Sequence, residues 1–161
     1  MIERHVLELR YFHFQRANEI RERKNYNTIC LIHFQLQNGN TIPVLHRSYY
    51  LESLPNGSIW LSLCTYTPYI ETPTLTSGQI VNNKNGKVVQ QKEYQLYDNL
   101  LLSPREKEVL TLLAKGHSSK QIADILNIST NTVYRHRQNI LSALQVSNTA
   151  AAIQLGFRLN I

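Results

Sequence analysis

The pattern of hydrophobic and polar residues changes once along the chain, close to residue 100. Before that point apolar residues tend to alternate with polar ones, which is typical of strands covered on one face. After it apolar residues recur every three or four positions, which is typical of amphipathic helices. The change predicts an α+β fold in two parts, an N-terminal helix with an antiparallel β-meander followed by a C-terminal bundle of four helices.

The first part begins with a predicted helix over residues 3–24, because this stretch contains neither glycine nor proline. Side chains that repeat at helical spacing define its predicted stripe: Val6, Leu9, Phe12 or His13, Arg16 and Ile20. Strands are predicted over residues 28–37, 41–51 and 58–66. The turns between them are Asn38-Gly39, a strong hairpin signal, and Pro55-Asn56-Gly57.

Strict alternation places one set of apolar residues on one face of the first strand: Cys30, Ile32, Phe34 and Leu36. Pro43 lies near the start of the second strand, which indicates a sheet edge or a bulge. Residues 67–77 are predicted to form a loop because they contain two prolines among threonines. A shorter hairpin is predicted from Gly78 to Gln91, with its turn at Asn85-Gly86.

Helix start and stop signals are dense in the second part. Ser103-Pro104-Arg105-Glu106 and Ser118-Ser119-Lys120-Gln121 are both capping boxes, and Gly116 is expected to end the first helix in the left-handed conformation. Ser129 is predicted to cap a third helix, and either Ser147 or Asn148 a fourth. Four short helices with short connections predict a compact bundle.

The third of these helices carries two unlike faces. Its apolar face holds Val133, Ile140, Leu141 and Leu144, whereas Asn131, Tyr134, Arg135 and Gln138 follow one another at helical spacing on another side. That polar face contains arginine and amides and no acid, and such side chains suit the base edges and phosphates of a DNA major groove. A short helix, a tight turn and a longer polar-faced helix predict a helix-turn-helix arrangement, in which Ala123 allows close helix approach and Asn127 ends the shorter helix.

The charge of the chain agrees with that interpretation without proving it. The net charge is +6, and residues 101–161 contribute +4 of it, with seven basic and three acidic residues. A basic module suits a polyanionic partner, although a solvated basic surface explains the charge equally well.

The sequence contains little that indicates a membrane protein, an enzyme or a metal-binding protein. No apolar run approaches the ~18–20 residues that span a bilayer, and no signal peptide is evident, so we expect a cytoplasmic protein without a membrane partner. No phosphate loop, nucleophile elbow or paired carboxylates indicate an enzyme, and no cofactor is expected. Cys30 and Cys64 are expected to be reduced and buried. His33 and His46 could face each other across paired strands, but two histidines make a poor metal site, and no metal is expected.

The C-terminal part resembles the LuxR-type DNA-binding domain, also called FixJ- or GerE-type. The resemblance covers residues 102–161 without gaps and is carried by Leu102-Ser-Pro-Arg-Glu-Lys-Glu-Val-Leu, Gly116, Ile122-Ala123, Ile128-Ser129, Thr132-Val133, His136, Asn139-Ile140 and Leu144. It implies a four-helix domain that dimerises through its fourth helix and binds double-stranded DNA at inverted-repeat operators.

The resemblance also implies roles for single residues. Those at positions where the family contacts base edges are Tyr134, Arg135 and Gln138. Those at positions where it contacts the DNA backbone or supports the helix are Lys120, Ser129, Thr130, Asn131, Thr132, Val133, His136, Arg137 and Asn139. Tyr134, Ala143 and Thr149 replace a usual Lys, Lys and Arg, and Gln121 replaces a usual Glu. Fewer cations imply weaker and less salt-sensitive binding.

Residues 1–92 resemble the later half of a PAS sensor domain and are predicted to serve sensing or dimerisation, with residues 93–101 as a linker. The two earlier strands of that fold are not found, so the segment is either a fragment or completes itself by dimerising, with its exposed sheet face on a partner subunit. We therefore expect a homodimeric, sequence-specific transcription regulator that acts with the transcription machinery. The alternative is a ligand- or protein-interaction module with a weak or degenerate DNA-binding domain.

Overall fold

The computed structural model describes residues 2–69 and 78–161, with only the backbone of Ile2. It divides into two compact units, Met1–Gln95 and Leu96–Ile161. The boundary falls inside the stretch predicted as a linker, which is helical rather than extended. Its two short pieces are helix α2, Gln91–Gln95, and a 3₁₀ turn, Leu96–Leu100.

The N-terminal unit begins with helix α1, Ile2–Ala17, and a 3₁₀ turn, Ile20–Asn25. The four strands that follow are β1 (Tyr26–Gln35), β2 (Thr41–Ser53), β3 (Ile59–Pro68) and β4 (Gln79–Asn82). They form one sheet in the order β3-β2-β1-β4, and every neighbouring pair is antiparallel. The predicted meander is confirmed, and β3 extends over Thr67 and Pro68, which were predicted to be loop. Of the remainder of that predicted loop, Tyr69 belongs to no strand, and residues 70–77 lie outside the described residues.

The predicted single helix over residues 3–24 is wrong, because α1 ends at Ala17. The Asn18 side chain donates to the Phe14 carbonyl at 2.8 Å and occupies an acceptor at the helix end. Arg23 is buried and donates to two further carbonyls nearby, Arg16 O and Asn18 O. These bonds satisfy carbonyl groups that a longer helix would have paired itself.

Helix α1 covers one face of the sheet. Tyr11 packs on Tyr50 with ring centroids 4.6 Å apart, and its hydroxyl donates to the Tyr26 carbonyl at 2.7 Å. Gly78 also lies against this helix, since a Cβ there would lie 2.6 Å from Leu7 Cδ2 and 3.3 Å from Cys30 Cβ. The predicted helical stripe is right only at Val6 and Leu9. Phe12 and His13 are half-buried, Arg16 and Ile20 are exposed, and the residues it missed are Leu7, Tyr11, Phe14 and Gln15.

The strand register decides which residues share the covered face. Gln35 pairs with Thr41 across the Asn38-Gly39 turn, so Cys30 pairs with His46 and His33 with Pro43. The idea that His33 and His46 face each other is therefore wrong, because side chains alternate and the two lie on opposite faces. His46 is buried against Cys30, with Nδ1 and Sγ 3.6 Å apart, while His33 is exposed.

Strand β3 is the least covered part of the sheet. Trp60 is 69% exposed, and Leu61, Leu63 and Tyr66 are also exposed. Cys64 is exposed, which corrects the expectation that both cysteines are buried. The correction follows from topology, since β3 is an edge strand.

At the edge of the sheet opposite β3, strand β4 is paired by the second strand of the predicted hairpin. The Asn82 N–H donates to the Lys87 carbonyl, and the Val89 N–H donates to the Ile80 carbonyl at 2.8 Å. Gly86 has φ +70°, as the predicted Asn85-Gly86 turn requires. The outer edge of β4 is thus occupied by its own chain.

The C-terminal unit contains α3 (Pro104–Ala114), α4 (Ser119–Leu126), α5 (Thr130–Ala143) and α6 (Thr149–Leu159). Both predicted capping boxes are formed, Ser129 caps α5, and Asn148 rather than Ser147 caps α6. Gly116 has φ +86° after α3, as predicted. The core is supplied by all four helices: Val109, Leu110, Ile122, Val133, Ile140, Leu144, Ala152, Leu155 and Leu159.

None of the helices in the described ranges is long and apolar enough to cross a membrane. Within the same ranges no group of three or more His, Cys, Asp or Glu residues is arranged to hold a metal ion.

Candidate nucleic-acid interface

Helix α4, a three-residue turn and helix α5 form a helix-turn-helix. Asn127 adopts φ 51° and ψ 50°, the left-handed conformation that ends α4. The Ile128 N–H then donates back to the Ala123 carbonyl at 3.0 Å, which closes the turn. Ala123 is 5% exposed, so a larger side chain there would separate the two helices. The turn fixes α5 relative to α4 by backbone bonds.

The outward side of α5 carries three side chains that we call the recognition surface: Tyr134, Arg135 and Gln138. All three are exposed, and Tyr134 is 53% exposed. Val133 and Ile140, on the other side of the helix, are at most 1% exposed. The helix is therefore anchored through one face while the guanidinium, amide and phenol of the other face remain accessible.

The N-terminus of α5 offers donors next to that surface. Ser129 Oγ accepts from the Thr132 N–H at 3.1 Å and lies 2.8 Å from Thr132 Oγ1. Neither α4 nor α5 has an acidic residue in its first turn. Asn131 and Lys120 are exposed, and Thr130 is half-buried. A helix N-terminus without nearby acids favours an anion such as phosphate.

Arg137 has a different environment from Arg135. Its guanidinium donates to Ser119 Oγ at 2.7 Å and to Thr149 Oγ1 at 2.9 Å. These hydroxyls belong to the first residues of α4 and α6, so Arg137 connects three helices. Arg137 is therefore held between helices and is not simply a solvated surface residue.

His136 and Asn139 lie on the flank of α5 that approaches α3. The pKa of Glu106 is lowered. Its partial burial acts to raise that pKa, but hydrogen bonds from Ser103 and Asn139 and the neighbouring His136 outweigh it. His136 Nδ1 is buried without a hydrogen-bond partner among the described residues. Together these contacts give His136 a partly buried, supporting environment and hold the exposed Asn139 against Glu106, whereas Gln138 between them points outward.

Gln121 and Thr149, two residues that differ from those usual in the family, have hydrogen-bond partners within the unit. Gln121 Oε1 accepts from the Ser118 N–H at 2.8 Å, so it completes the capping box as a glutamate would. Thr149 accepts from Arg137. Sequence reasoning missed Ser119, Thr149 and Glu106 as the partners of α5. Ser119 and Thr149 each begin a helix, but nothing in the sequence indicates that their hydroxyls meet at one arginine.

Comparison with known proteins identifies this arrangement. Residues 100–155 match the model of the "Bacterial regulatory proteins, luxR family". This stretch is a LuxR-type helix-turn-helix domain. That family consists of regulatory proteins and not of enzymes, in agreement with the prediction from the sequence.

Relatives share this LuxR-type domain over a limited length. The response regulator protein VraR of Staphylococcus aureus is 40% identical over 70 residues, which cover 44% of this chain and 32% of VraR. VraR of Staphylococcus epidermidis matches to the same extent. The chain thus spans about a third of the length of these relatives.

Solved structures similar to this chain include VqmA bound to DPO, with 16% identity and a TM-score of 0.35, over 85% of this chain and 52% of VqmA. A Vibrio cholerae VqmA dimer has 19% identity and a TM-score of 0.35, over 83% of this chain and 55% of VqmA.

Proposed function

We propose that this protein is a sequence-specific, DNA-binding transcription regulator whose LuxR-type domain binds double-stranded DNA through α5. The observation that carries the proposal is the recognition surface, three exposed side chains on a helix that is anchored from behind. Arg135 and Gln138 are suited to bidentate contacts with guanine and adenine in the major groove. Tyr134 adds a phenol at a position where the family usually has a lysine.

The residues around the recognition surface are proposed to meet the phosphate backbone or to support α5. Ser129, Thr130, Asn131 and Thr132 lie at the N-terminus of α5 and Lys120 lies in the first turn of α4, and phosphate is favoured at helix N-termini. Val133, His136, Arg137 and Asn139 are proposed to orient the helix, since each has a buried or internally bonded environment.

The whole chain is proposed to act as a cytoplasmic homodimer on an inverted-repeat operator, together with the transcription machinery. Residues 1–92 are proposed to supply sensing or dimerisation, residues 93–101 the linker, and residues 102–161 the DNA-binding domain. The proposal is supported by the LuxR-type match and by the separation into two compact units. A two-fold operator suits a two-fold protein.

The test is the double change Arg135→Ala with Gln138→Ala in the full chain. An operator is first selected from random duplexes with the unaltered protein. Binding to this operator and to a scrambled duplex is then measured by fluorescence anisotropy. The double variant should lose discrimination between the two duplexes, because each bidentate contact contributes ~1–3 kcal/mol. Its helical content should be unchanged.

The matched control is Arg21→Ala with Gln37→Ala, which removes the same charge and the same amide from exposed positions of the N-terminal unit. The control should keep the discrimination of the unaltered protein. If the Arg135 and Gln138 double variant also keeps it, the recognition surface is assigned incorrectly.

The second candidate is an interaction module whose DNA-binding domain is degenerate. The observation that favours it is the loss of three usual cations at Tyr134, Ala143 and Thr149, which reduces the number of counterions released on binding. A salt series in the same anisotropy assay separates the two candidates. Absence of DNA binding even at low salt would favour the interaction module.

A further inference from the structure

Helix α4 is bonded to its neighbours at both ends by arginine side chains. Arg137 of α5 donates to the hydroxyl of Ser119, the first residue of α4. Arg105 of α3 donates to the carbonyl of Leu126, the last residue of α4, at 2.8 Å. The second contact lies directly before the turn that leads into α5.

The Leu126 carbonyl is a group that α4 cannot pair by itself, because the last four carbonyls of a helix lack donors within it. The Asn127 N–H turns back to the carbonyls of Ala123 and Asp124. The Ile128 N–H turns back to Ala123 as well. The Leu126 carbonyl takes its donor from α3 instead, and a guanidinium is favoured at the negative end of a helix dipole.

Arg105 is oriented by a second bond on its own helix. Its guanidinium donates through Nη1 to Glu108 Oε2 at 2.7 Å and through Nη2 to the Leu126 carbonyl. Glu108 follows three residues later on α3, a spacing at which side chains meet on one helix face. The two Nη groups of one planar guanidinium thus have separate acceptors, an arrangement that the single ammonium of lysine reproduces poorly.

The end of α4 determines where α5 begins. Three residues, 127–129, separate Leu126 from the first residue of α5. This turn has little freedom, because Asn127 is in the left-handed conformation and the Ser129 side chain caps α5. A shift of the end of α4 is therefore passed on to the start of α5, and with it to the recognition surface.

We propose that Arg105 is a positioning residue for DNA recognition, which holds the end of α4 so that α5 presents its recognition surface in the orientation that base contacts require. Glu108 orients Arg105 for this role. Arg105 acts through the helix-turn-helix and not by touching a base or a phosphate. The inference rests on the DNA binding of the proposed function and adds to it a residue outside the assigned interface.

The first test is the charge-conserving change Arg105→Lys in the full chain. The ratio of operator affinity to scrambled-duplex affinity should fall by about tenfold, comparable to the loss of one base contact. Binding to the scrambled duplex should be unchanged, because it depends on charge, and it also shows that the variant is folded. Glu108→Gln should lower the same ratio by a smaller factor. If Arg105→Lys fails to fold by circular dichroism, Glu108→Gln decides.

The matched control is the ion pair of Arg21 with Glu19 in the N-terminal unit. Its length is also 2.7 Å, but its guanidinium donates to no helix carbonyl in the described part of the chain. Arg21→Lys and Glu19→Gln should therefore leave the affinity ratio unchanged.

A direct phosphate contact by Arg105 would give a different result. Arg105→Met would then weaken binding to both duplexes equally and reduce the slope of log affinity against log salt by about one. Glu108→Gln would strengthen binding to both duplexes, because it frees the guanidinium. Positioning instead predicts a lower affinity ratio with an unchanged slope. Equal weakening with a reduced slope overturns the inference.

Hydrogen exchange measured by mass spectrometry tests the contact without DNA. In Arg105→Lys the segment 123–133 should exchange faster, while α6 should be unchanged. An unchanged affinity ratio overturns the inference whether or not exchange accelerates, and it leaves the proposed function in place. If the unaltered protein binds neither duplex even at low salt, the inference and the proposed function both fail.

Discussion

The bonds inside the two units of this protein join residues at different separations along the sequence. In the C-terminal unit the helices are closed by bonds between residues three to five positions apart, such as the capping boxes at Ser103 and Ser118. In the N-terminal unit the buried Arg23 forms bonds over longer separations, to Ser53 Oγ at 3.2 Å and to the Gly57 carbonyl at 2.7 Å. Replacing a single side chain that forms such bonds should therefore destabilise the N-terminal unit more than the C-terminal unit.

The units also expose different chemistry. The N-terminal unit exposes an uncharged apolar strand, β3, and the C-terminal unit exposes a polar, basic helix face on α5. A surface of the first kind favours association with protein, and one of the second kind favours association with a polyanion. The division of roles proposed above follows from this contrast.

The largest expected effect compares one arginine in each unit. Arg23→Lys should reduce the free energy of unfolding of the N-terminal unit by about 2–3 kcal/mol, because a buried guanidinium with four oxygen acceptors is replaced by a point charge. Arg137→Lys should cost the C-terminal unit about 1–2 kcal/mol, since it is half-buried with two acceptors. Urea unfolding followed by Trp60 fluorescence reports the N-terminal unit, and circular dichroism is dominated by the helices.

Arg21→Lys is the matched control for both, because Arg21 is exposed and its ion pair with Glu19 lies at the surface. It should leave both transitions unchanged. Equal losses from Arg23→Lys and Arg137→Lys would contradict the view that the N-terminal unit depends more heavily on long-range contacts.

A smaller effect concerns the local bonds of the C-terminal unit. Ser118→Ala removes the acceptor of the Gln121 N–H and should cost about 1 kcal/mol. Hydrogen exchange measured by mass spectrometry should accelerate first in α4, where the capping box is lost. Ser147→Ala is the control, since Ser147 precedes the cap of α6 and should change stability by less than about 0.5 kcal/mol. Uniform acceleration across all four helices would argue against a local role for the cap.

The smallest effect is a difference in acid sensitivity. Burial lowers the pKa of His46 from its ordinary 6.5, so the N-terminal unit should lose stability as the pH falls below 6.5 toward the lower folded-state pKa. The pKa of Glu106 is lowered from 4.5, so its contribution to the C-terminal unit should be lost only as the pH falls below 4.5. In both cases the unfolded chain binds the proton more readily, and stability therefore rises with pH through that window.

Hydrogen exchange of the two units between pH 7 and pH 4 would measure this order. His46→Gln should flatten the pH dependence of the stability of the N-terminal unit just below pH 6.5, and Glu106→Gln should leave that window unchanged. The expected order would be contradicted if the C-terminal unit lost protection from exchange at a higher pH than the N-terminal unit.

The same contrast explains what could be predicted from the sequence. Ser103, Gly116, Ser118, Asn127 and Ser129 each act on neighbours a few positions away, so their roles in ending and capping helices followed from spacing. The hairpin turns were predicted correctly for the same reason, since each depends on adjacent residues.

The predictions that were wrong depended on contacts between residues that are distant in sequence. The register between β1 and β2 separates His33 from His46, and the position of β3 at the sheet edge exposes Cys64. The break after Ala17 involves Arg23, which also reaches Ser53 and Gly57. In the candidate interface, the exposure of Tyr134, Arg135 and Gln138 agrees with helical spacing, but the bond from Arg137 to Thr149 had no sequence signal.

The bonds of Arg137 to Ser119 and Thr149 have a consequence for how the protein can evolve. The residues that hold α5 in place and those of the recognition surface alternate along one helix without sharing hydrogen-bond partners in the described part of the chain. Substitutions at Tyr134, Arg135 and Gln138 can therefore accumulate without eroding the scaffold. If the recognition surface binds DNA as proposed, a lineage of such proteins can change the promoters that it regulates while the domain itself stays the same.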